Sequence, residues 1–303
     1  NARLSKVVVR SPMRCNHHDG MCAKCYGLNE DGQLHDKGTN IGIIASQALG
    51  ERGTQLAMKA FHSGGVYEGA SETDIAGAGL DRAKTLLNMP KVVKGSAVLS
   101  SSTGRVTNIR KDPAGGYNVT VGDKNHYVPH NRKLQPKLRA GSQVRKGDPI
   151  TLGPVNPHDM LPLTGINRVQ GYLASELNSI YGQQGIRRRN TEVVVRSLSN
   201  ITKVEDPGDN KDLIKGDFAP TTTVQHWNKT AKGKKPVLHS PVMRGVKQVP
   251  LDMQEDWLAR LNHEKLKDTV IEGAQRGWSS DLHGKHPIPP LIYSAEFGMK
   301  KPY

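Results

Sequence analysis

Apolar and polar positions recur with two different periods along this chain, and the change of period predicts where helices give way to strands. Residues 41–89 follow a helical period. Another helix is predicted from an apolar stripe with a member on nearly every turn, at Ile166, Val169, Leu173, Leu177 and Ile180. Between the two, residues 92–152 contain short β-runs separated by turn signals such as "DPAGGY", which predicts a small antiparallel β module.

Less regular patterns predict the remaining elements. The run "LSKVVVR" at residues 4–10 is typical of a strand. Residues 203–235 are charged and punctuated by Gly and Pro, which favours a loop-rich connector. A last helix is predicted from about Asp252 to Gln275, because the prolines that follow cannot continue it.

The stretch "IGIIASQALGERGTQLAMKAFHSGG", residues 41–65, combines an apolar helix with an unusual polar stripe. The helix is expected to be interrupted at Gly50 and Gly53 and to begin again at Thr54. In this second part four side chains share one stripe at a 3.6-residue period: Gln55, Met58, Lys59 and His62. The glycine-rich stretch that follows, Gly64 to Gly79, is expected to be mobile or to refold.

The charge balance indicates the kind of partner. The chain has 303 residues, so we expect two or more packed units. There are 43 Lys+Arg against 28 Asp+Glu, a formal net charge of +15, which favours a polyanionic partner and nucleic acid above all. The alternatives are a basic protein with a solvated surface, or one arm of an assembly whose other subunits are acidic. No membrane partner is expected, because no apolar run approaches the roughly 20 residues that a spanning helix requires.

All three cysteines lie close together, with the spacing Cys15-x6-Cys22-x2-Cys25. The C-x2-C pair can place two thiolates on one tetrahedral zinc ion, and the third cysteine is near enough to join them. The fourth ligand is expected from His17, from His18 or from a cysteine elsewhere. The alternative is a set of buried free thiols. Three such cysteines do not form a disulfide framework, which indicates a reducing compartment.

Three of these stretches carry a resemblance to a known family. The runs "DGMCAKCYG", "IGIIASQALGERGTQLAMKAFHSGG" and "TDIAGAGLDRAKTLL" resemble, in this order and at this spacing, the zinc-binding element, the trigger-helix region and the second trigger helix of the largest (β′) subunit of multisubunit DNA-dependent RNA polymerases. The likeness continues through "KGDPITLGPVNPHDMLPLTGINRVQGYLASELNSIYGQQGI", "TEVVVRSL" and "PVMRGVKQVPL". It covers residues 7 to about 275 and concerns the carboxyl-terminal part of β′.

The resemblance implies an α+β fold of several modules that depends on partner chains. We expect a zinc-binding element at 1–36, trigger helices and trigger loop at 37–90, a β-rich jaw-like module at 91–155, a helical module with a charged connector at 156–235, and a clamp- or switch-like C-terminal helix with its tail at 236–303. In the family the loop that holds catalytic magnesium, the bridge helix and a fourth zinc cysteine all lie upstream of such a segment. A split β′ chain of a giant bacteriophage would account for their absence here, and the chain begins at Asn1 rather than Met.

The resemblance also implies roles for the polar stripe. The trigger loop folds against the incoming nucleoside triphosphate, with Met58 on the nucleobase and Gln55 nearer the sugar. His62 would approach the β-phosphate as an acid or as a positioned charge, and Lys59 would approach the phosphates. Family members usually have Arg at the position of Lys59, and a lysine loses the bidentate fork. Nucleic-acid contacts are expected in the main channel from Arg187, Arg188, Arg189, Lys247 and Arg260, although the three adjacent arginines would equally suit an exposed turn.

The expected function is therefore that of a polymerase component. The chain would be a nucleotidyltransferase only within a complex, with structural Zn²⁺ in this chain and Mg²⁺ bound by another. Its partners would be an N-terminal β′-like chain, β-like chains, a promoter-specificity subunit, template DNA, product RNA and nucleoside triphosphates. The expected location is the cytoplasm of an infected bacterial host, with the virion as the alternative.

Two other functions remain open from the residues alone. A non-enzymatic zinc-containing nucleic-acid-binding protein would explain the charge and the cysteines, but it leaves the polar stripe without a role. The segment "LRAGSQVRKGDPI", residues 138–150, has the rhythm of hairpins in biotin and lipoate carrier modules. No Met-Lys or Asp-Lys hairpin tip accompanies it, so a carrier-domain enzyme is the weaker interpretation.

Overall fold

The computed structural model describes residues 7–18, 20–39, 41–62, 72–113, 115–252 and 266–278, and for residues 56–62, 72–78, 183, 250 and 251 it describes the backbone alone. The chain forms two compact units. One consists of Asn1–Asn88 together with Ala174–Tyr303, and the other of Met89–Leu173.

Helices and antiparallel strands both contribute to the fold, so the predicted mixture of the two is confirmed. The helices are α1 (Ala23–Tyr26), α2 (Ile41–His62), α3 (Glu72–Asn88), α4 (Pro157–Thr164), α5 (Ile166–Tyr181), α6 (Arg188–Ser199), α7 (Thr221–Thr230), α8 (Val249–Asp252) and α9 (Leu266–Arg276), with 3-10 turns at Pro12–Arg14 and Gly182–Gln184. The strands are β1 (Gly104–Lys111), β2 (Tyr117–Val121), β3 (Lys124–Val128), β4 (Gln143–Val144), β5 (Ile201–Asp206), β6 (Phe218–Pro220) and β7 (Leu238–Val242).

Helix α2 is continuous from Ile41 to His62, so the predicted interruption at Gly50 and Gly53 is wrong. A glycine in a helix costs only about 1 kcal/mol relative to alanine. Burial of the apolar face of α2, which includes Ile41, Ala45 and Leu49, offsets that cost. Of the stretch expected to be mobile, residues 64–71 lie outside the described residues and Glu72 to Gly79 belong to α3.

The predicted β module is confirmed as a four-stranded sheet with the order β3-β2-β1-β4, in which every pair is antiparallel. One face covers a core of six buried residues: Val106, Val119, Val121, Val128, Val144 and Ile150. The run at residues 92–100 forms no strand and contributes one isolated bridge, between Leu99 and Pro149. Helix α5 also matches its predicted stripe, because Val169, Leu173 and Leu177 are buried.

The predicted loop-rich connector is wrong. Residues 201–242 contain a second antiparallel sheet, with the order β6-β5-β7, and helix α7. Their small core is formed by Val204, Ala219, Val224 and Val237, with Leu213 and Trp227 packed against it. In β5 the charged residues Lys203 and Glu205 alternate with buried neighbours and point away from that core, as a pleated strand requires.

Both ends of the described chain differ from expectation. Residues 7–10 form no strand, and Val7, Val8 and Val9 are exposed, while residues 1–6 lie outside the described residues. The predicted last helix is present as α9, but residues 253–265 are not described; Lys247 lies before α8. Within the described ranges, no helix has the length and apolar character needed to cross a membrane.

The turn before α8 docks closely on the end of α3. The N–H of Val246 donates to the carbonyl of Leu87 at 2.9 Å. A Cβ atom added to Gly245 would lie 1.9 Å from the carbonyl oxygen of Asn88, which is backbone and cannot swing aside. A glycine is therefore required at this position for steric reasons.

We expect Gly245→Ala to lower the free energy of unfolding by about 2–3 kcal/mol, because the turn must move away from α3. Urea-induced unfolding of the full chain, followed by circular dichroism, measures this change. Gly171→Ala is the matched control, since a Cβ at that position in α5 meets no atom within 4 Å. The control should raise stability by about 0.5–1 kcal/mol. Equal behaviour of the two variants would contradict the steric argument.

Candidate functional site

The three cysteines converge at the start of the described chain. Cys15 directly follows the 3-10 turn, Cys22 caps the N-terminus of α1, and Cys25 lies in the same helix. Their sulfur atoms all lie within 4.8 Å of one another, and the N–H of Cys22 points to the sulfur of Cys15 at 3.4 Å. Cys15 and Cys25 are 5% and 8% exposed, so two of the three thiols are shielded from water.

This arrangement fits a zinc ion. Tetrahedral Zn–S bonds of about 2.3 Å place the sulfurs about 3.8 Å apart, which the observed cluster allows with small adjustments. The cluster includes neither His17 nor His18. Their rings stack instead, His17 on His18 at 5.4 Å and His18 on His226 at 3.9 Å between centroids. Three ligands therefore come from the described part of this chain, and the sequence-based choice of either histidine as the fourth gains no support.

The surroundings of Cys15 and Cys25 shift the pKa values of these two thiols in opposite directions. Burial alone would raise the pKa of Cys15, but the backbone N–H groups of Cys22 and His17 and the charge of Arg196 lower that pKa to about 7. The pKa of Cys25 is raised to about 12, first by burial and then by its hydrogen bond with Cys22 and the charge of Cys15. A metal ion would have to displace the proton of Cys25, because a ligating thiol is deprotonated.

Helix α6 holds the cysteine loop in place through Arg196. This side chain is 6% exposed and donates to three backbone carbonyls, those of Pro12 at 3.1 Å, His17 at 3.0 Å and Gly20 at 3.2 Å. The three carbonyls bracket Cys15 on both sides. One guanidinium thus fixes the whole loop between the 3-10 turn and α1.

Other polar side chains of α6 reach the same segment. The buried carboxylate of Glu192 accepts from the hydroxyl of Ser11 at 2.8 Å and from Arg188 at 2.8 Å. The hydroxyl of Tyr26 donates to Asn190 at 3.2 Å. These residues were not predicted from the sequence. The run "TEVVVRSL" carries a signal for them, because a glutamate and an arginine four residues apart within an apolar helix must be satisfied by a partner.

The three adjacent arginines begin α6 and contact their own chain. Arg187 caps the helix and forms an exposed ion pair with Glu30 at 3.3 Å. Arg188 pairs with Glu192. Arg189 donates to the carbonyl of Leu28 and lies over the ring of Tyr26, at 4.6 Å from its centroid. Lys247 is exposed, and Arg260 lies outside the described residues.

The polar stripe lies on α2, whose backbone is helical through all four positions. The exposed side chain of Gln55 accepts from Arg52 at 2.6 Å and donates to Glu51 at 3.3 Å. The side chains of Met58, Lys59 and His62 lie outside the described residues, so their predicted roles stay predictions. A continuous helix carries the four positions on three consecutive turns.

The family model for RNA polymerase Rpb1, domain 5, matches residues 3–248. The chain is 34% identical to the DNA-directed RNA polymerase subunit beta' of Clostridioides difficile (strain 630), over 98% of this chain and 26% of that protein. It is 35% identical to the subunit of the same name from Caldicellulosiruptor saccharolyticus, over 99% of this chain and 26% of that protein, and 35% identical to that of Acetivibrio thermocellus, over 93% and 24%. The chain thus spans about a quarter of the length of these relatives. A match that extends over most of the chain shows that this protein belongs to the RNA polymerase Rpb1 domain 5 family.

Proposed function

We propose that this chain is the carboxyl-terminal β′ portion of a multisubunit DNA-dependent RNA polymerase and supplies the trigger loop that closes on the incoming nucleoside triphosphate. The observation that carries the proposal is the family match, which includes α2, α3 and the segment between them. The packing of α2 against α3 supports it, because a lid of two helices needs a shared contact from which to close.

Phosphoryl transfer gains most from positioning and from positive charge near the leaving oxygens. In the proposed closed state, His62 stands at the β-phosphate and gives a proton or a positive charge to the departing pyrophosphate. Lys59 acts as a point charge on the phosphates, Met58 packs on the base, and Gln55 lies nearer the sugar. Magnesium is bound by another part of the enzyme and supplies the larger share of charge stabilisation.

The cysteine cluster has a structural role in this proposal. Cys15, Cys22 and Cys25 hold one Zn²⁺ whose fourth ligand comes from outside the described residues. The ion ties the segment before α1 to α1 itself, and the bonds of Arg196 tie both to α6. The zinc site therefore supports the fold on which α2 rests.

The wider assembly follows from the same proposal. The enzyme contains the rest of β′, β-like chains, template DNA, product RNA and nucleoside triphosphates, and a promoter-specificity subunit completes it during initiation. The hypothesis of a split β′ chain from a giant bacteriophage, acting in an infected cell or packaged in the virion, stays a prediction. The reading as a non-enzymatic nucleic-acid binder has no observation in its favour beyond charge and cysteines.

His62→Ala, Lys59→Ala and Met58→Ala should each slow nucleotide addition by about 10²-fold or more, because each removes a contact made when the lid closes. Met58→Ala should also raise the apparent Km for nucleotide, since base packing precedes chemistry. Single-nucleotide extension by the assembled enzyme on a preformed scaffold, over a range of substrate concentrations, separates the two effects. Gln47→Ala, at an exposed position earlier in α2, is the control and should extend like the parent. If the His62→Ala enzyme extended as fast as the parent, the polar stripe would not be the catalytic face.

The assembled enzyme should contain one zinc ion per copy of this cysteine cluster. Cys22→Ser should lose it, because a hydroxyl is a far poorer zinc ligand than a thiolate and two cysteines are too few to hold the ion. Elemental analysis of the purified complex, compared with that of a variant Ser179→Ala that leaves the three ligands and the contacts of their loop in place, measures the loss. Absence of zinc from the parent complex would refute the zinc assignment and leave the polymerase assignment standing.

Among the proposed nucleic-acid contacts, Lys247 gives the clearest test, because it is exposed and the structure shows no ion pair for it among the described residues. Lys247→Glu should weaken the elongation complex and reduce the salt slope of its stability by about one unit, as expected when a phosphate contact is lost. Dissociation of elongation complexes at increasing salt measures that slope. Lys229→Glu makes the same charge change at the end of α7 and serves as control. An unchanged slope for Lys247→Glu would mean that this charge faces protein or solvent.

The three arginines that begin α6 need a different design, because their contacts within the chain would be lost together with any contact to nucleic acid. Arg187 has the most exposed of these interactions and its partner Glu30 is itself exposed, so Arg187→Gln disturbs the fold least. Arg187→Gln is therefore the variant to use when the measurement of salt dependence is extended to these arginines. The same measurement applies to Arg260, which lies outside the described residues.

A further inference from the structure

Arg196 is a buried cation with an unusual set of partners. Its guanidinium is always charged, and the three oxygen atoms that accept its hydrogen bonds all belong to neutral backbone carbonyls, of Pro12, His17 and Gly20. Carbonyl oxygens satisfy N–H donors but leave the net charge of the guanidinium in place. A buried charge without a counter-charge is costly, so such groups are normally paired.

No carboxylate in the described part of the chain supplies that counter-charge. Glu192 lies one turn earlier on α6, but Ser11 and Arg188 occupy its two oxygens, and no ion pair joins it to Arg196. The neighbouring group that could become negative is the cysteine cluster. Arg196 hydrogen-bonds to the loop that bears Cys15, and a second cation, Arg10, lies 3.9 Å from the sulfur of Cys25.

Metal binding would give the cysteine cluster a net negative charge, which is the counter-charge that Arg196 lacks. A zinc ion with three thiolates carries a net charge of −1, and a fourth thiolate would make it −2. Outer groups that donate to a metal loop or balance its charge orient the ligands and tune the ion. The three carbonyls held by Arg196 lie before Cys15 and between Cys15 and Cys22, where they fix the distance between two ligands.

We infer that Arg196 is the positioning residue and the internal counter-cation of the metal centre, so that zinc affinity depends on a side chain of α6 that never touches the ion. The inference rests on the proposed binding of zinc by the three cysteines. It adds that the centre and α6 stabilise each other: the guanidinium shapes the ligand loop, and the metal thiolate makes burial of the guanidinium tolerable.

The test compares zinc retention by the assembled enzyme and its variants at increasing chelator concentration. Arg196→Met should weaken retention about 10–100-fold, the usual effect of losing an outer-shell partner. Arg196→Lys should fall between parent and Arg196→Met, because it keeps the charge but cannot bridge three carbonyls. Arg187→Gln is the matched control: it removes an exposed arginine at the start of the same helix, whose partner Glu30 is also exposed, and it should retain zinc like the parent.

Cobalt substitution separates tuning of the ion from simple loosening of the fold. In the Co²⁺-loaded enzyme, loss of the positive charge beside the thiolates should shift the sulfur-to-cobalt charge-transfer band to longer wavelength. Arg196→Met should show this shift, Arg196→Lys a smaller one, and Arg187→Gln none. Parent-like retention and a parent-like spectrum for Arg196→Met would overturn the inference.

If Arg196→Met does not assemble, hydrogen exchange of the parent enzyme provides a second test of the coupling between the metal centre and α6. Removal of zinc should speed exchange in the last turns of α6, Val194 to Ser199, together with the cysteine loop. Faster exchange in the loop alone, with α6 unchanged, would overturn the inference. A parent enzyme without zinc would overturn the zinc site and this inference together, whereas a zinc-containing parent with an indifferent Arg196→Met variant would overturn this inference alone.

Discussion

A helix that is buried on every side must find partners for its polar side chains in the elements around it, and α6 imposes this constraint on its unit. All ten residues from Asn190 to Ser199 are buried, and six of them are polar or charged. Ser197 and Ser199 bond to carbonyls of their own helix, whereas Asn190, Glu192 and Arg196 reach outward to Tyr26, Ser11 and the cysteine loop. The position of the cysteine loop is therefore set by hydrogen bonds that α6 cannot leave unmade.

The same helix also packs against α2, which places α6 between the cysteine loop on one side and the helix of the polar stripe on another. The apolar residues Val193, Val194 and Val195 of α6 are buried, while its polar residues hold the loop. If the cysteines hold zinc as proposed, a change at the metal centre would alter the support of α2 through α6. In the proposed function, in which a lid must close accurately, such support matters because small displacements of catalytic groups are costly.

The sequence predicts best those elements whose pattern is local and regular. The stripe of α5 and the alternating runs of the β module are confirmed because each buries one face and exposes the other. Predictions that relied on single residues were less successful. Gly50 and Gly53 suggested a break in α2, but the apolar face of that helix continues across them. The charged stretch after α6 suggested a connector, although Thr202 and Val204 alternate with Lys203 and Glu205 as in a strand. The run Val7–Val9 has the composition of a strand, yet composition cannot supply the neighbouring strand that would pair with it.

Within the candidate site, the cysteine spacing predicted the convergence of the three sulfurs, because the two positions of a C-x2-C pair meet across one helical turn. The hydrogen bonds by which Arg196 fixes the cysteine loop could not be derived from the cysteine spacing, since they join residues that are distant in sequence. The histidine alternative gains no support for a related reason: the ring of His18 stacks on His226 of α7, a helix that the sequence analysis did not predict.

The division of the chain into units has a consequence for its biosynthesis. The unit that contains α2 is assembled from chain segments that precede and follow Met89–Leu173. In the sequence, α2 and its partner α6 are therefore separated by the whole of the second unit. During translation the second unit can complete its local sheet while α6 is still being made. Until α6 emerges, the apolar face of α2 that includes Ile41, Ala45 and Leu49 lacks this partner. An exposed apolar surface of this kind on a nascent chain favours chaperone binding and aggregation.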